Sequence, residues 1–429
     1  MNPNNEQLLS NVHAAIQAYC EANHDFRFKA NDPVVRLHEP TFSTEEINAA
    51  VDVLLSTKVT MGPKVRAFER EYADRFGHKH AIMNNSGSSA NLLAVAAIAN
   101  PAAENRLKPG DEVIVPALSW STTVWPLVQC GLKPVIVDID PVTLNIDPNE
   151  VERAISPRTR AVMLVHVYGN PCDMDAIVDI CQRRHLELIE DCCEALGASY
   201  DGKAAGKFGR VGTFSFYFSH HMTTLEGGMC VTDDFEFAEV MRALRAHGWT
   251  RELEDRDRYL KRYPEIDPRF LFINVGYNLR ATELQGAFGS VQLPKLARFV
   301  DQRRENTAAW RKDLARWSEF FLFQTETPKG RSSCFGFPMT LKDSAPFGVR
   351  EFMAFLNEAG IETRPIIAGN IAVQPAMKLF DHRVVGDLKH STQVMKGGVT
   401  FGNHQAVDKA ARDHVTATVA SFMASKGLA

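Results

Sequence analysis

The chain has 429 residues, 45% of them hydrophobic and 23% charged, which is the balance of an ordinary globular enzyme. This length suits a large domain with a smaller one, and a formal net charge of −4 argues against nucleic-acid binding. No run approaches the roughly 20 apolar residues of a membrane span, so no membrane association is expected. The polar N-terminus lacks a signal-peptide pattern and the eight cysteines form no CxxC pair, so we expect a cytoplasmic location.

The predicted elements indicate an α/β fold. Residues 1–40 are expected to form an irregular N-terminal arm. Ser43 and Glu46 have the spacing of a capping box, which predicts a helix to Leu55, and Pro63 is typical of the start of the next helix. Further helices are predicted at Ser89–Ala99, Glu150–Ala154 and Met174–Arg184. They alternate with predicted strands at His80–Met83, Glu112–Pro116, Pro134–Asp138, Ala161–Val165, Glu187–Glu190, Thr213–Phe216 and Met229–Val231. This alternation predicts a mostly parallel sheet that is covered on both faces.

A change of pattern near residue 295 predicts a domain boundary. From Leu293 to Trp310 the sequence is that of a long charged helix, which we expect to lead into a smaller C-terminal α/β domain. The predicted division is therefore an arm over 1–40, a large domain over 41–295 and a small domain over 296–429.

Three segments contain the residue types from which an active site is built. Asn85–Asn91 lies between a strand and a helix, so its small residues are compatible with phosphate at a helix N-terminus or with a plain turn. Glu190–Gly197 places carboxylates at the end of a buried strand, where they need a partner or cap a helix. Thr213–Gly228 contains Ser215 and the pair His220-His221.

In this order and spacing, the three segments resemble the DegT/DnrJ/EryC1/StrS family of sugar aminotransferases. The resemblance runs from about Pro40 to His404, with support from Gly62, Phe68-Glu69, Gly276–Arg280 and Gly360–Pro365. It implies the aspartate-aminotransferase fold (PLP fold type I) and a large domain that binds pyridoxal phosphate (PLP) or pyridoxamine phosphate (PMP).

The resemblance also implies a role for each residue that matches a family motif. Trp120 would stack on the cofactor ring, although without the resemblance it would be interpreted as a core aromatic. Asn278 would come from a neighbouring subunit, so a homodimer with shared active sites is expected. The remaining cofactor contacts would be Gly87 and Ser88 (phosphate, through backbone amides), Ser215 (phosphate, through its hydroxyl), Asp191 (ring nitrogen) and Glu194 (near the phenolic oxygen).

A second, less specific set of residues would border the nucleotide sugar or glutamate. Arginine suits this role because its planar fork binds two oxygens of a carboxylate or diphosphate. An ordinary surface salt bridge is an equal alternative for each member. The set is Lys58, Val59, Thr60, Met61, His247, Arg251, Arg280 and Glu362.

The chain departs from the family's aminotransferases at the position of the lysine that binds PLP covalently. Five residues after Ser215 stands His220, and no lysine occurs from Phe208 to Leu260. Within the family, this histidine resembles that of PLP-dependent 3-dehydratases of nucleotide-linked 4-keto-6-deoxysugars. Imidazole carries protons but forms no stable covalent link to PLP, so PMP held non-covalently is expected. His221 is expected to be a packing or hydrogen-bonding neighbour.

The hypothesis that follows is a C3 dehydration, used to make dideoxysugars for a surface polysaccharide such as O-antigen. PMP would condense with the C4 ketone, His220 would remove a proton from the cofactor methylene, and the C3 hydroxyl would leave. Hydrolysis would release ammonia and a 4-keto-3,6-dideoxysugar, and L-glutamate would regenerate PMP. Two alternatives remain: an aminotransferase with a relocated lysine, and a catalytically silent homologue that binds a nucleotide sugar.

Neither a metal ion nor an iron–sulfur cluster is expected. A cluster needs cysteine thiolates, and the sequence has no cysteine from Val231 to Ser333. His220 and His221 are no metal pair without further ligands. The segment Ala246–Arg251 resembles the cluster-free branch of the family's dehydratases, so no reductase partner is expected.

Overall fold

The computed structural model describes residues 3–103 and 106–428. Its helices are α1 (Pro3–Asn23), α2 (Thr44–Leu55), α3 (Pro63–Phe76), α4 (Gly87–Ile98), α5 (Ser121–Gln129), α6 (Pro148–Ala154), α7 (Met174–Arg184), α8 (Phe235–Arg245), α9 (Arg256–Arg262), α10 (Glu283–Gln292), α11 (Leu296–Leu314), α12 (Val349–Glu358), α13 (Lys389–Gly397) and α14 (Lys409–Ser425).

The strands alternate with these helices through most of the chain. They are β1 (His80–Asn84), β2 (Glu112–Pro116), β3 (Lys133–Val137), β4 (Thr159–Val165), β5 (Glu187–Asp191), β6 (Ser199–Tyr200), β7 (Lys203–Ala204), β8 (Val211–Ser215), β9 (Gly228–Thr232), β10 (Phe321–Phe323), β11 (Gly330–Arg331), β12 (Phe337–Leu341), β13 (Thr363–Arg364), β14 (Arg383–Val384) and β15 (Gly398–Phe401).

Eight strands form the central sheet, in the order β1-β9-β8-β5-β4-β2-β3-β14. The six from β8 to β14 pair in parallel, and β9 is antiparallel to both β8 and β1. All five residues of β2 are buried, as expected for a parallel strand covered on both faces. The strands predicted from the sequence all lie in this sheet, with ends within two residues of those observed.

The topology of this sheet determines where a site can form. Apolar residues of α4, α5 and α8 pack on one face, and those of α6 and α7 pack on the other. The parallel strands end at one edge, where β5 terminates at Asp191 and β8 at Ser215. In open α/β sheets, ligands bind beyond the carboxyl ends of the strands, so a site is expected at this edge.

A second sheet of four antiparallel strands, in the order β10-β12-β15-β13, forms the C-terminal core. Its apolar side chains pack against α11, α12 and α14 in an aromatic-rich cluster. The predicted charged helix is found as α11, preceded by a single 3₁₀ turn at Leu293–Lys295. Strand β14 lies in the predicted small domain, but it pairs with β3 and extends the large sheet. The domain boundaries remain a prediction.

The expectation that the N-terminal arm is irregular is wrong for α1, a helix of 21 residues. Residues 1 and 2 lie outside the described residues. Cys20 buries its side chain, and His13 bonds Asp52 of α2 at 2.8 Å. Tertiary packing therefore stabilises a segment whose polar composition suggested an irregular chain. None of the helices in the described ranges is long and apolar enough to cross a membrane.

Candidate active site

The N-terminus of α4 forms one wall of the site. Ser86 is extended and accepts the amide of Ser89, which caps the helix. The Gly87 and Ser88 amides lie in the first turn, where no carbonyl of the helix can accept from them, so they are available to an anion. A Cβ atom at Gly87 would overlap Cβ of Ser215 and lie 3.1 Å from the Cys193 sulfur. Glycine is therefore required for this close approach.

Asp191, the last residue of β5, is 4% exposed and holds three hydrogen bonds. Its Oδ2 accepts from the side chains of Asn91 and Thr123, both at 2.8 Å, and its Oδ1 accepts the Cys193 amide at 3.1 Å. Asn91 is in turn fixed by the Thr213 hydroxyl at 2.5 Å. The network offers a negatively charged acceptor at a fixed position, which suits a protonated ring nitrogen.

The neighbouring acid, Glu190, has a different environment. Burial alone would raise the pKa of its carboxyl, but its hydrogen bonds lower the pKa below the ordinary value. His166, Glu190 and Cys192 bring three potential metal-ligand atoms within 4.8 Å of one another. The Glu190 oxygens, however, already accept from His166 Nε2 and from the amides of Gly206, Phe208 and Gly209, at 2.6 to 3.2 Å. This saturation favours a structural role.

Glu194 lies one short turn further along the chain. Its Oε2 accepts the amide of Tyr168 at 2.9 Å, and Tyr168 adopts a left-handed backbone with φ of 54°. Burial raises the pKa of Glu194 to about 7, although the Tyr168 amide and the nearby Arg364 guanidinium oppose the shift. A carboxyl with this pKa can hold or release a proton near neutrality.

His220 faces the same space from the loop after β8. Its Nδ1 lies 2.8 Å from the Cys193 carbonyl oxygen, so Nδ1 carries the hydrogen and Nε2 keeps its lone pair. The ring also makes an edge-on contact with Phe335, with centroids 5.1 Å apart. Burial, together with the positive charges of Arg364 and Arg303, lowers the pKa of His220 to about 4, against the effect of the Cys193 hydrogen bond. The imidazole is therefore neutral at pH 7 and can act as a base at Nε2.

The remaining predicted cofactor contacts lie around this group. Trp120 precedes the first turn of α5 and is 59% exposed, so it is not a core aromatic. The Ser88 hydroxyl donates to Thr122 at 3.1 Å and links the first turns of α4 and α5. Ser215 is buried, and its Oγ accepts the Tyr217 amide at 3.3 Å. The cofactor set thus converges on the carboxyl edge of the sheet, with the exception of Asn278.

Asn278 and the predicted substrate residues lie in other places. Lys58, Thr60, Met61 and Arg251 line one cavity of about 360 Å³. The Val59 carbonyl accepts the amide of Glu283, which lines the same cavity. Three further positions have separate environments: Arg280 Nε donates to exposed Asn278, His247 is exposed with φ of 65°, and Glu362 accepts the Leu37 amide at 2.9 Å.

Several residues that were not assigned a role from the sequence contribute to the site. Arg364 lies near Glu194 and above the Phe335 ring, 5.9 Å from its centroid, and it belongs to the Gly360–Pro365 motif, in which only Glu362 was selected. Asn91 closes the Asn85–Asn91 motif without an assigned role. Phe335 has no local signal in the sequence, because its contact with His220 joins distant parts of the chain.

These residues fit a pyridoxal-type cofactor. Gly87, where a side chain would fill the space beside Ser215, leaves the α4 amides open to a phosphate. Asp191 offers a negative acceptor to a ring nitrogen, and Glu194 has the pKa of a group that exchanges a proton with a phenolic oxygen. No lysine is among the residues that hydrogen-bond or make ring contacts with His220 in the described part of the chain. The group can therefore hold the cofactor and move a proton, without a covalent link at this position.

The chain is similar to known proteins over most of its length. GDP-4-keto-6-deoxy-D-mannose 3-dehydratase of Yersinia pseudotuberculosis is 43% identical over 373 residues, which cover 86% of this chain and 94% of that protein. A solved E. coli GDP-4-keto-6-deoxy-D-mannose-3-dehydratase with bound hydrated PLP has 39% identity and a TM-score of 0.82, covering 90% of this chain and 98% of that one. A GDP-4-keto-6-deoxymannose-3-dehydratase with a trapped PLP-glutamate geminal diamine has 39% identity and a TM-score of 0.81, covering 89% and 99%.

The comparisons confirm both the fold class and the resemblance predicted from the sequence. The family model described as the DegT/DnrJ/EryC1/StrS aminotransferase family matches residues 40–420. This match spans the central sheet, the C-terminal sheet and every residue of the candidate site. The chain therefore belongs to the DegT/DnrJ/EryC1/StrS aminotransferase family.

Proposed function

We propose that the protein is a PLP/PMP-dependent 3-dehydratase that removes the C3 hydroxyl of a nucleotide-linked 4-keto-6-deoxysugar. The observation that carries this proposal is His220, whose Nε2 is an unprotonated base at the position where the family's aminotransferases have lysine. The named relatives support it, since the Yersinia protein is a 3-dehydratase and the solved structures contain PLP or its glutamate adduct.

Each residue of the site has a defined task in this reaction. When bound, the cofactor supplies an electron sink next to C4 of the sugar. The amides of Gly87 and Ser88 bind its phosphate, and Asp191 keeps the ring nitrogen protonated. Asn91 and Thr123 hold the Asp191 carboxylate, so the acceptor that would meet the ring nitrogen is fixed before the sugar arrives.

His220 moves the proton. The neutral imidazole accepts a proton at Nε2, while Nδ1 keeps its hydrogen bond to the Cys193 carbonyl, which stabilises the imidazolium that forms. The same Nε2–H then donates the proton to the departing C3 oxygen, so the hydroxyl leaves as water. A lysine could instead deliver the proton to C4 and complete a transamination.

The glutamate half of the cycle needs a cation for a carboxylate. Arg364 lies beside Glu194 and Tyr168, and its pKa is raised although burial opposes the charge. We propose Arg364 as a contact for the glutamate carboxylate, in addition to Arg280, which was predicted to border the sugar or glutamate. L-Glutamate is the proposed amino donor, and neither a reductase partner nor an iron–sulfur cluster is required.

Asn278 and the cavity of Lys58, Thr60, Met61 and Arg251 would serve the site of the neighbouring subunit. Asn278 is exposed, as are several apolar side chains of the same region, among them Phe270, Phe272, Val275 and Tyr277. A second copy of the chain would cover this face and complete both sites, so a homodimer is part of the proposal. A cytoplasmic location is also proposed, and all eight cysteines are free thiols, as a reducing compartment would require.

The test is incubation of the enzyme, PLP and L-glutamate with a panel of 4-keto-6-deoxy nucleotide sugars, beginning with the GDP-linked mannose derivative. We expect loss of the C3 oxygen with release of one ammonia per turnover, without added iron or reductase. An amino sugar that retains its C3 oxygen would indicate an aminotransferase, and borohydride trapping followed by mass mapping would then locate the relocated lysine. Failure to bind PLP or PMP would indicate a catalytically silent homologue.

A further inference from the structure

His221 is a fully buried titratable residue for which the proposed reaction has no use. Its Nε2 donates to the carbonyl of Ser333 at 3.0 Å, and its Nδ1 has no hydrogen-bond partner among the described residues. Burial and the nearby Arg303 charge lower the pKa of His221 well below its ordinary value, so the ring is neutral. A buried acceptor without a hydrogen-bond partner lowers the stability of the folded protein. A leucine would avoid this cost, so the imidazole must be explained by its one hydrogen bond.

That hydrogen bond fixes the segment Ser333–Phe335. The Ser333 amide donates to the Gly169 carbonyl at 3.0 Å, and the Phe335 amide donates to the Tyr168 carbonyl at 2.9 Å. The Phe335 carbonyl accepts from the buried Arg303 guanidinium at 2.8 Å. The segment is therefore held on several sides, and His221 supplies the contact to the loop that contains His220.

These contacts determine the position of the Phe335 ring. Phe335 is 8% exposed and contacts both histidines, with centroids 5.1 Å from His220 at an interplanar angle of 67° and 5.5 Å from His221 at 51°. His220 is restrained by its hydrogen bond to the Cys193 carbonyl and by the Phe335 ring. A ring with both restraints keeps its Nε2 in one direction.

We propose that His221 and Phe335 are positioning residues for His220, acting together through the Ser333 carbonyl. His221 holds the backbone that presents Phe335, and Phe335 prevents the His220 imidazole from rotating away from its Cys193 hydrogen bond. This inference rests on the proposed function, because the proposed function assigns the proton transfer to His220. The proposal gives His221 a role in holding the Ser333 carbonyl, which is more than packing in the core.

The variants Phe335→Leu and His221→Leu test the proposal. Displacing a general base forfeits part of its roughly 100- to 10,000-fold contribution, so kcat should fall about 10- to 100-fold. KM for the nucleotide sugar and PLP affinity should stay within about twofold, because neither residue binds these ligands. His221→Gln retains an N–H for the Ser333 carbonyl and should restore most of kcat. Phe352→Leu is the matched control, since Phe352 is fully buried in the C-terminal core.

A second measurement separates this proposal from the proposed function. Nitrogen-15 NMR of histidine-labelled, cofactor-free protein reports the tautomer of His220, whose signals are identified by their loss in His220→Asn. We expect the Nδ1–H tautomer in the wild type, Phe352→Leu and His221→Gln, and a mixture of tautomers in Phe335→Leu and His221→Leu. An unchanged tautomer with unchanged kcat in the leucine variants would overturn the positioning role. A wild type that shows the expected tautomer but dehydrates no sugar would refute the proposed function alone.

Discussion

The Cys193 peptide joins the two groups on which the chemistry depends. Its amide donates to the Asp191 carboxylate at 3.1 Å, and its carbonyl accepts the Nδ1–H of His220 at 2.8 Å. The acceptor for the cofactor nitrogen and the proton-transfer base are thus separated by one residue's backbone. Because main-chain groups have less freedom than side chains, this link keeps the Asp191 carboxylate and the His220 imidazole at a fixed relative position during proton transfer.

His220→Asn should bind PLP and PMP but lose C3 dehydration. The amide has the size to occupy the ring position but no basic nitrogen, so turnover should fall by about 100- to 10,000-fold. Cofactor absorbance and sugar turnover measure the two properties separately. His185→Asn is the control, because His185 is an exposed left-handed residue at the end of α7, where asparagine is well tolerated. Retained turnover in His220→Asn would remove His220 from the role of base.

Asp191→Asn should destabilise the protein and weaken the reaction. Asn91 and Thr123 donate to one oxygen of the Asp191 carboxylate, and the Cys193 amide donates to the other. An asparagine side chain has only one oxygen, so in either orientation its NH₂ group would face a hydrogen-bond donor. The mismatch should cost about 1–3 kcal/mol of unfolding free energy, measured by urea titration. Loss of the negative partner should lower kcat on the order of 100-fold. The exposed Asp343→Asn is the control, and an equal loss there would show that the effect is not specific.

Glu194→Gln should change stability in a pH-dependent way. Burial raises the pKa of Glu194 to about 7 from 4.5, so the folded protein keeps this proton to a higher pH than the unfolded chain does. The group's contribution to stability is complete below about pH 4.5 and is lost as the pH rises through 7. The glutamine variant of the cofactor-free protein should therefore have a free energy of unfolding about 3 kcal/mol higher than the wild type at pH 8, seen as a higher Tm, and a similar Tm at pH 5. A difference that is the same at both pH values would contradict the raised pKa.

Mixed dimers should recover activity from two inactive variants. If Asn278 serves the neighbouring site, a dimer of one His220→Asn and one Asn278→Ala subunit contains one site with both changes and one with neither. Random mixing of the two variants should then restore about a quarter of wild-type turnover, since half of the dimers are mixed. Each variant alone should remain below that level, and no recovery after mixing would place Asn278 in the site of its own subunit.

Features of the fold that depend on a few neighbouring residues can be predicted from the sequence, and those that depend on tertiary contacts cannot. The capping box of Ser43 and Glu46 is confirmed, and the strand predicted at Glu187–Glu190 is found one residue longer as β5, because a few neighbouring residues determine both features. Helix α1 was missed because its stability depends on packing against α2.

The site residues that have no role predicted from the sequence also depend on contacts between distant parts of the chain. Phe335 and Arg364 reach His220 and Glu194 from positions more than 100 residues away, which no local pattern reports. Glu362 was selected for its motif, yet its carboxylate accepts the Leu37 amide from a distant segment. Its predicted role at the substrate remains a prediction.

The saturated carboxylate of Glu190 limits how this site can be re-engineered. Three amides of the turn at 206–209 are bonded to it, so the length and path of that turn are set from inside the protein rather than by solvent. Most surface loops of an enzyme accept insertions. A single residue added here would leave the buried Glu190 carboxylate, next to Asp191, without its hydrogen bonds. Transplanting this site into another scaffold would therefore require moving β5 and the 206–209 turn as one piece.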